Sequence, residues 1–121
     1  MADGSVSFEE LVTEALDSLP PDIAGMMNNV EVIVEDEPPV HQLQRLPRGH
    51  TLFGLYEGIP LTKRGIYDRA LPDRITIYRG PITRSARSSA AIRAQVRKTV
   101  IHEIGHHFGI EEHRLHELGW G

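Results

Sequence analysis

The chain has 121 residues, no cysteine and a formal net charge of −4. Such a length suits one domain with a single core and no separate substrate-binding lobe, and the lack of cysteine excludes disulfide frameworks and thiolate metal sites. The mild acidity argues against a general nucleic-acid binder, and no run approaches the ~20 apolar residues of a membrane span.

The opening segment, MADGSVSFEE, has neither the basic flank nor the apolar core of a secretion signal, so a cytoplasmic protein is expected. Ser7 and Glu10 form a capping box, and Phe8, Leu11, Val12, Ala15, Leu16 and Leu19 recur at helical spacing until Pro20 and Pro21 stop the run. Residues 22–28 are expected to add a short turn of helix. Val30, Val32 and Val34 then alternate with polar partners as a half-buried strand does, with the core on the valine side.

Residues 35–50 are rich in proline, acid and polar side chains without a sustained period, which predicts a long loop. A second strand is expected at 52–56, ending at Gly58. A third is expected at 74–79, with Ile75 and Ile77 on one face, Thr76 and Tyr78 on the other, and Gly80 and Pro81 ending it. From about residue 88 to residue 108 runs a long helix. It carries Ile92, Val96, Val100 and Ile104 on one side and Ala94, Ile101 and Phe108 nearby on another, so wide an apolar arc that a buried central helix is predicted. A last short helix at 111–118 turns Leu115 and Leu118 inward and is capped by Gly119. Arg84, Arg87, Arg93, Arg97 and Lys98 form a basic run with no interleaved aromatic residues, the pattern of a solvated face. No internal repeat appears, and a single domain over residues 1–121 is expected.

The long helix carries the chemistry. His102 and His106 stand four residues apart, so their imidazoles point the same way and can share one metal ion. Glu103 sits about 100° round the axis, where a carboxylate reaches a water beside the metal without becoming a ligand, as a general base requires. Gly109 lets the chain reverse, and Glu112, carried back past that turn, is at the spacing of a third ligand. Glu111 and His113 are neighbours that a small shift of the turn brings in instead. Three ligands plus an open position mark a catalytic zinc site, although manganese, iron or cobalt also suit imidazole and carboxylate. Peptide hydrolysis is the natural reaction class. His107, a further 100° beyond His106, fits a packed or hydrogen-bonded histidine better than a ligand, and His41, His50 and His116 fit surface positions, with His50 in a loop that can also approach the cleft.

The run HEIGHHFGIEE resembles the extended zinc-binding motif of zincin-type metallopeptidases. With FGLYEGIPLT, DRITIYRGPI, VRKTVIHEIGHHFG and the terminal ELGW, the chain is similar over residues 30 to 121 to the small single-domain bacterial zincin-like family, the mini-zincins. The resemblance implies an α+β fold, a minimal zincin-like domain with a small mixed sheet and about three helices, one of them the active-site helix. It implies a zinc metallopeptidase with His102, His106 and Glu112 as ligands and Glu103 as base. Relatives often carry Asp at the position of Glu112, and larger zincins of the glycine-containing type carry His. It further implies that the strand at 74–79 is an edge strand that takes up an extended peptide.

The chain departs from the larger enzymes in lacking a methionine-containing turn below the metal, since Met1, Met26 and Met27 all lie upstream. Trp120 can supply an apolar floor or merely cover the end of the core. No motif marks the partner of a developing oxyanion; Tyr67, Tyr78, Arg79 and His113 are the candidates. The expected partner is a peptide or protein substrate, not nucleic acid or membrane, with a second copy in a homodimer, or another protein, able to supply the missing wall of a cleft. The alternative is a zincin-derived binding or regulatory module with little or no proteolytic turnover.

Overall fold

The computed structural model describes residues 7–25, 27, 29–46, 52–58, 73–110 and 112–117, with Asp22, Glu112, Leu115 and His116 described by their backbone alone. Helix α1, Phe8–Asp17, starts at Ser7, whose Oγ accepts from the Glu10 N–H at 3.1 Å, satisfying one of the orphan donors of the first turn. Glu9 and Glu10 add negative charge where the helix dipole favours it. Phe8, Leu11, Val12 and Ala15 are buried, the face that the spacing predicts, while Leu16 and Leu19 pack at its margin. Helix α2, Pro21–Gly25, puts proline at its first position and is shorter than expected.

Asn29, in the left-handed region at φ 62°, turns the chain into β1, Val30–Glu35. Among its described residues, the segment expected to be a continuous loop contains one short helix, α3, Val40–Leu43. Strands β2, Gly54–Glu57, and β3, Asp73–Tyr78, complete a mixed sheet in the order β1-β3-β2. The β1–β3 pair is parallel from Val30 opposite Asp73 to Glu35 opposite Tyr78, and the β2–β3 pair is antiparallel from Gly54 opposite Ile77 to Glu57 opposite Arg74. The expected α+β layout with a small mixed sheet is therefore present.

The sheet order corrects one expectation. β3 is the central strand, hydrogen-bonded on both sides, so its backbone groups are committed to β1 and β2 and cannot take up a peptide as an edge strand does. Its period-two pattern reads correctly in other respects. Ile75 and Ile77 are fully buried on one face, and Thr76 and Tyr78 are buried on the other, as a strand covered on both sides requires.

Gly80 and Pro81 follow the end of β3, as expected, and they also open a helix. In α4, Arg79–Ser85, Pro81 lies in the first turn, where a missing N–H breaks no helical bond. The Gly80 N–H instead donates to Asp36 O at 2.8 Å, and Arg84 forms a two-pronged ion pair with Glu37. Arg93 likewise pairs with Glu14, and Arg84, Arg87, Arg93, Arg97 and Lys98 are all exposed, the solvated face that was expected.

Ser88 caps α5, Ser89–His107, by accepting from the Ala91 N–H at 3.1 Å. Val96, Val100 and Ile104 are fully buried and pack with α1, Ile75, Ile77 and Ile82 into one core. The helix is not buried all round, since Arg93, Ala94, Arg97 and Lys98 are exposed. The rest of its buried arc is polar: Thr99, Glu103 and His107 follow one another at i, i+4, i+8. The chain ends its described course in α6, Glu112–Glu117. Leu118, Gly119 and Trp120, and the readings made of them, lie outside the described residues, as do His50 and Tyr67.

Candidate metal centre

The polar arc of α5 is pressed against the sheet. Gly54 and Tyr56 stand opposite Ile77 and Ile75, so both share the face that α5 covers, and Asp73 continues that face at the start of β3. Gly54 makes the close approach possible. A Cβ there would lie 2.7 Å from Thr99 Cγ2 and 3.2 Å from Glu103 Cγ, so a side chain at this position would force its neighbours to shift. The glycine therefore brings the β2 backbone directly beside Glu103, which is only 8% exposed.

His102 and His106 lie on the adjacent, half-exposed side of the helix. Their Nε2 atoms are 3.2 Å apart and their rings meet edge to face, with centroids 4.8 Å apart. Two nitrogens on a tetrahedral zinc with bonds of ~2.0–2.1 Å are separated by about 3.3–3.4 Å, so the spacing fits one shared zinc ion. One ligand atom from each of His102, Glu103 and His106 falls within 4.8 Å of the others. Two imidazoles and carboxylate, with no thiolate, suit zinc chemistry.

The reversal after this helix follows the expected chemistry. Gly109 adopts φ 79°, its N–H donates to His106 O at 2.9 Å, and the Ile110 N–H donates to Gly105 O at 2.9 Å. That pair of bonds is a Schellman cap, which turns the chain so that Glu112 opens α6 only five residues past His107. Glu112 is described by its backbone, Glu111 lies outside the described residues, and His113 is exposed.

The oxyanion candidates are sorted by their surroundings. Arg79 is ion-paired with Glu9 and with Asp36 and sits over the Phe8 ring, commitments that hold it at α1. Tyr78 is buried, and its phenol is held above its ordinary pKa first by burial and then by the carboxylates of Glu57, Glu35 and Glu103. It thus stays neutral, a hydrogen-bond donor in electrostatic reach of Glu103.

His107 is buried and hydrogen-bonded, as expected, but its partner was not foreseen. Its Nδ1 lies 2.6 Å from Asp73 Oδ2, and the same oxygen accepts from Tyr56 Oη at 2.6 Å. One signal for Asp73 was present: it occupies an apolar-face position of its strand, two before Ile75. Tyr56 gave none beyond strand propensity.

No helix among the described residues is long and apolar enough to cross a membrane. No curated protein matches the chain significantly. The fold is similar to the solved structure of a conserved hypothetical protein from Thermus thermophilus, with 25% identity, a TM-score of 0.58, and coverage of 84% of this chain and 91% of that one. Residues 27–120 match the family described as zincin-like metallopeptidase. With more than three quarters of the chain inside that match, and a His-Glu-His group seated on its long helix, the protein belongs to the zincin-like metallopeptidase family.

Proposed function

We propose that the protein is a cytoplasmic zinc-dependent peptidase in which His102, His106 and Glu112 hold the metal and Glu103 is the general base. The observation that carries this reading is the convergence of two histidine nitrogens, 3.2 Å apart, beside a buried carboxylate on the same helix. Bound there, zinc would supply Lewis acidity to a water molecule and to the carbonyl of the scissile bond. Glu103 takes the proton of the attacking water and passes it to the departing amine. The Gly54 backbone limits the room around that carboxylate and so fixes the side from which it acts.

The substrate in this reading is a peptide or protein segment in extended form. It adds to β2 on the side away from β3, an edge that carries no further strand among the described residues and runs beside Glu103. Neither nucleic acid nor membrane has a role in it.

The test is Glu103→Gln, assayed on a mixed set of fluorogenic peptides with metal content measured in parallel. Loss of the base without loss of a ligand should lower hydrolysis by about 10²–10⁴-fold and leave zinc bound. Undiminished hydrolysis would remove Glu103 from the mechanism. A zinc-loaded native protein that cleaves none of the peptides would favour the binding-module alternative.

A further inference from the structure

Tyr56, Asp73 and His107 come from β2, β3 and α5 and meet at one buried oxygen. Asp73 Oδ2 accepts from Tyr56 Oη and from His107 Nδ1, each at 2.6 Å, and the Tyr56 and His107 rings meet edge to face at 5.8 Å. The side chains of Asp73 and His107 are each 2% exposed. His107 Nε2 is buried and has no hydrogen-bond partner among the described residues, so Asp73 alone among them holds the polar part of that ring.

Stability by itself gives little reason for this arrangement. Taking a carboxylate and an imidazole out of water is costly, and apolar side chains of similar volume commonly do as well. What two hydrogen bonds to a single oxygen do provide is a fixed geometry among three elements. The position of the group makes that geometry relevant to the metal centre. His107 directly follows His106 in the last turn of α5, and it shares a helix face with Glu103. Tyr56 lies two residues from Gly54, where an added Cβ would lie 3.2 Å from Glu103 Cγ.

We propose that Tyr56, Asp73 and His107 are positioning residues for the metal centre: they lock the last turn of α5, with His106 on it, against β2 and β3. The proposal rests on reading His102 and His106 as metal ligands. The network touches neither metal nor substrate; it acts by holding the helix turn that carries a ligand.

The experiment uses the intact protein and two probes, Zn²⁺ alone in a chelator competition and Co²⁺ alone by visible absorption. Tyr56→Phe removes one hydroxyl and keeps the ring. It is expected to retain the far-UV circular dichroism, weaken zinc binding by about tenfold, the lower end for outer partners of a metal site, and shift the cobalt band. Asp73→Ala removes both hydrogen bonds and should weaken zinc further; if it fails to fold, Tyr56→Phe decides. Arg74→Ala, an exposed change on the same strand, should leave both readouts unmoved. A Tyr56→Phe protein with a lower melting temperature but native zinc affinity and cobalt spectrum would reduce the network to a structural role and overturn the proposal. Failure of the unaltered protein to bind either ion would overturn the metal reading and this proposal with it, an outcome separate from native-like binding by the variant.

Discussion

Helix α5 buries two faces of opposite character. One carries Val96, Val100 and Ile104, fully buried against α1 and the isoleucines of β3 and α4. The other carries Thr99, Glu103 and His107, almost as deeply buried against β2 and the start of β3. The apolar face gains from leaving water, whereas the polar face must recover its desolvation cost through hydrogen bonds and close fit. The difference separates what holds the fold from what arranges the site. Substitutions on the first face should act on stability, and those on the second should act on the approach of helix to strand.

The largest effect is expected from the apolar face. Ile104→Ala leaves a cavity in a fully buried position and should cost about 2–5 kcal/mol in chemical denaturation. A loss well below about 1 kcal/mol would mean that the site can collapse around the gap and that this face is less tightly packed than its burial implies.

A smaller cost, about 1–3 kcal/mol, is expected for Gly54→Ala, whose new methyl would meet Thr99 Cγ2 at 2.7 Å. Thr99→Ser removes that methyl, so the double variant should recover part of the loss. Additive losses would show that the close approach of β2 to α5 is not set by this contact.

The smallest effect is a pH dependence. Burial, aided by Glu57, Glu35 and Glu103, raises the Tyr78 phenol above its ordinary value of 10.0. The unfolded chain then releases this proton before the folded one does, so the stability it contributes is present below the ordinary value and is lost as pH rises through the raised one. As pH rises above about 10, the melting temperature of the native protein should fall more steeply than that of Tyr78→Phe. Parallel curves would show that Tyr78 keeps an ordinary acidity.

Much of the apolar face was legible in the sequence because it is local. The Ser7 cap, the Phe8-Leu11-Val12-Ala15 stripe and the Gly109 reversal are each decided within a turn or two of chain. The His102–His106 pair was legible for the same reason, since one helical turn brings the rings together. The polar face was not, because its partners are remote. Asp73 meets His107 across 34 residues, and Tyr56 meets Asp73 across 17. Period-two alternation tells which way a side chain points but not which strand lies alongside, so it placed Ile75 and Ile77 correctly and had no means to check the edge position that the resemblance implied for β3. Gly80 and Pro81 were legible as the end of a strand, but not as the first turn of a helix, whose Gly80 N–H is bonded to the remote Asp36.

The central claim is a single metal held by His102, His106 and Glu112. It is tested most directly by purifying the protein without chelators and measuring bound metal by mass spectrometry, alongside His102→Ala and Glu112→Ala. The account predicts about one zinc per chain in the native protein and loss of it in both variants. Zinc retained after Glu112→Ala would reassign the third ligand, and a native protein that takes up no zinc even when supplied with it would contradict the metal centre itself.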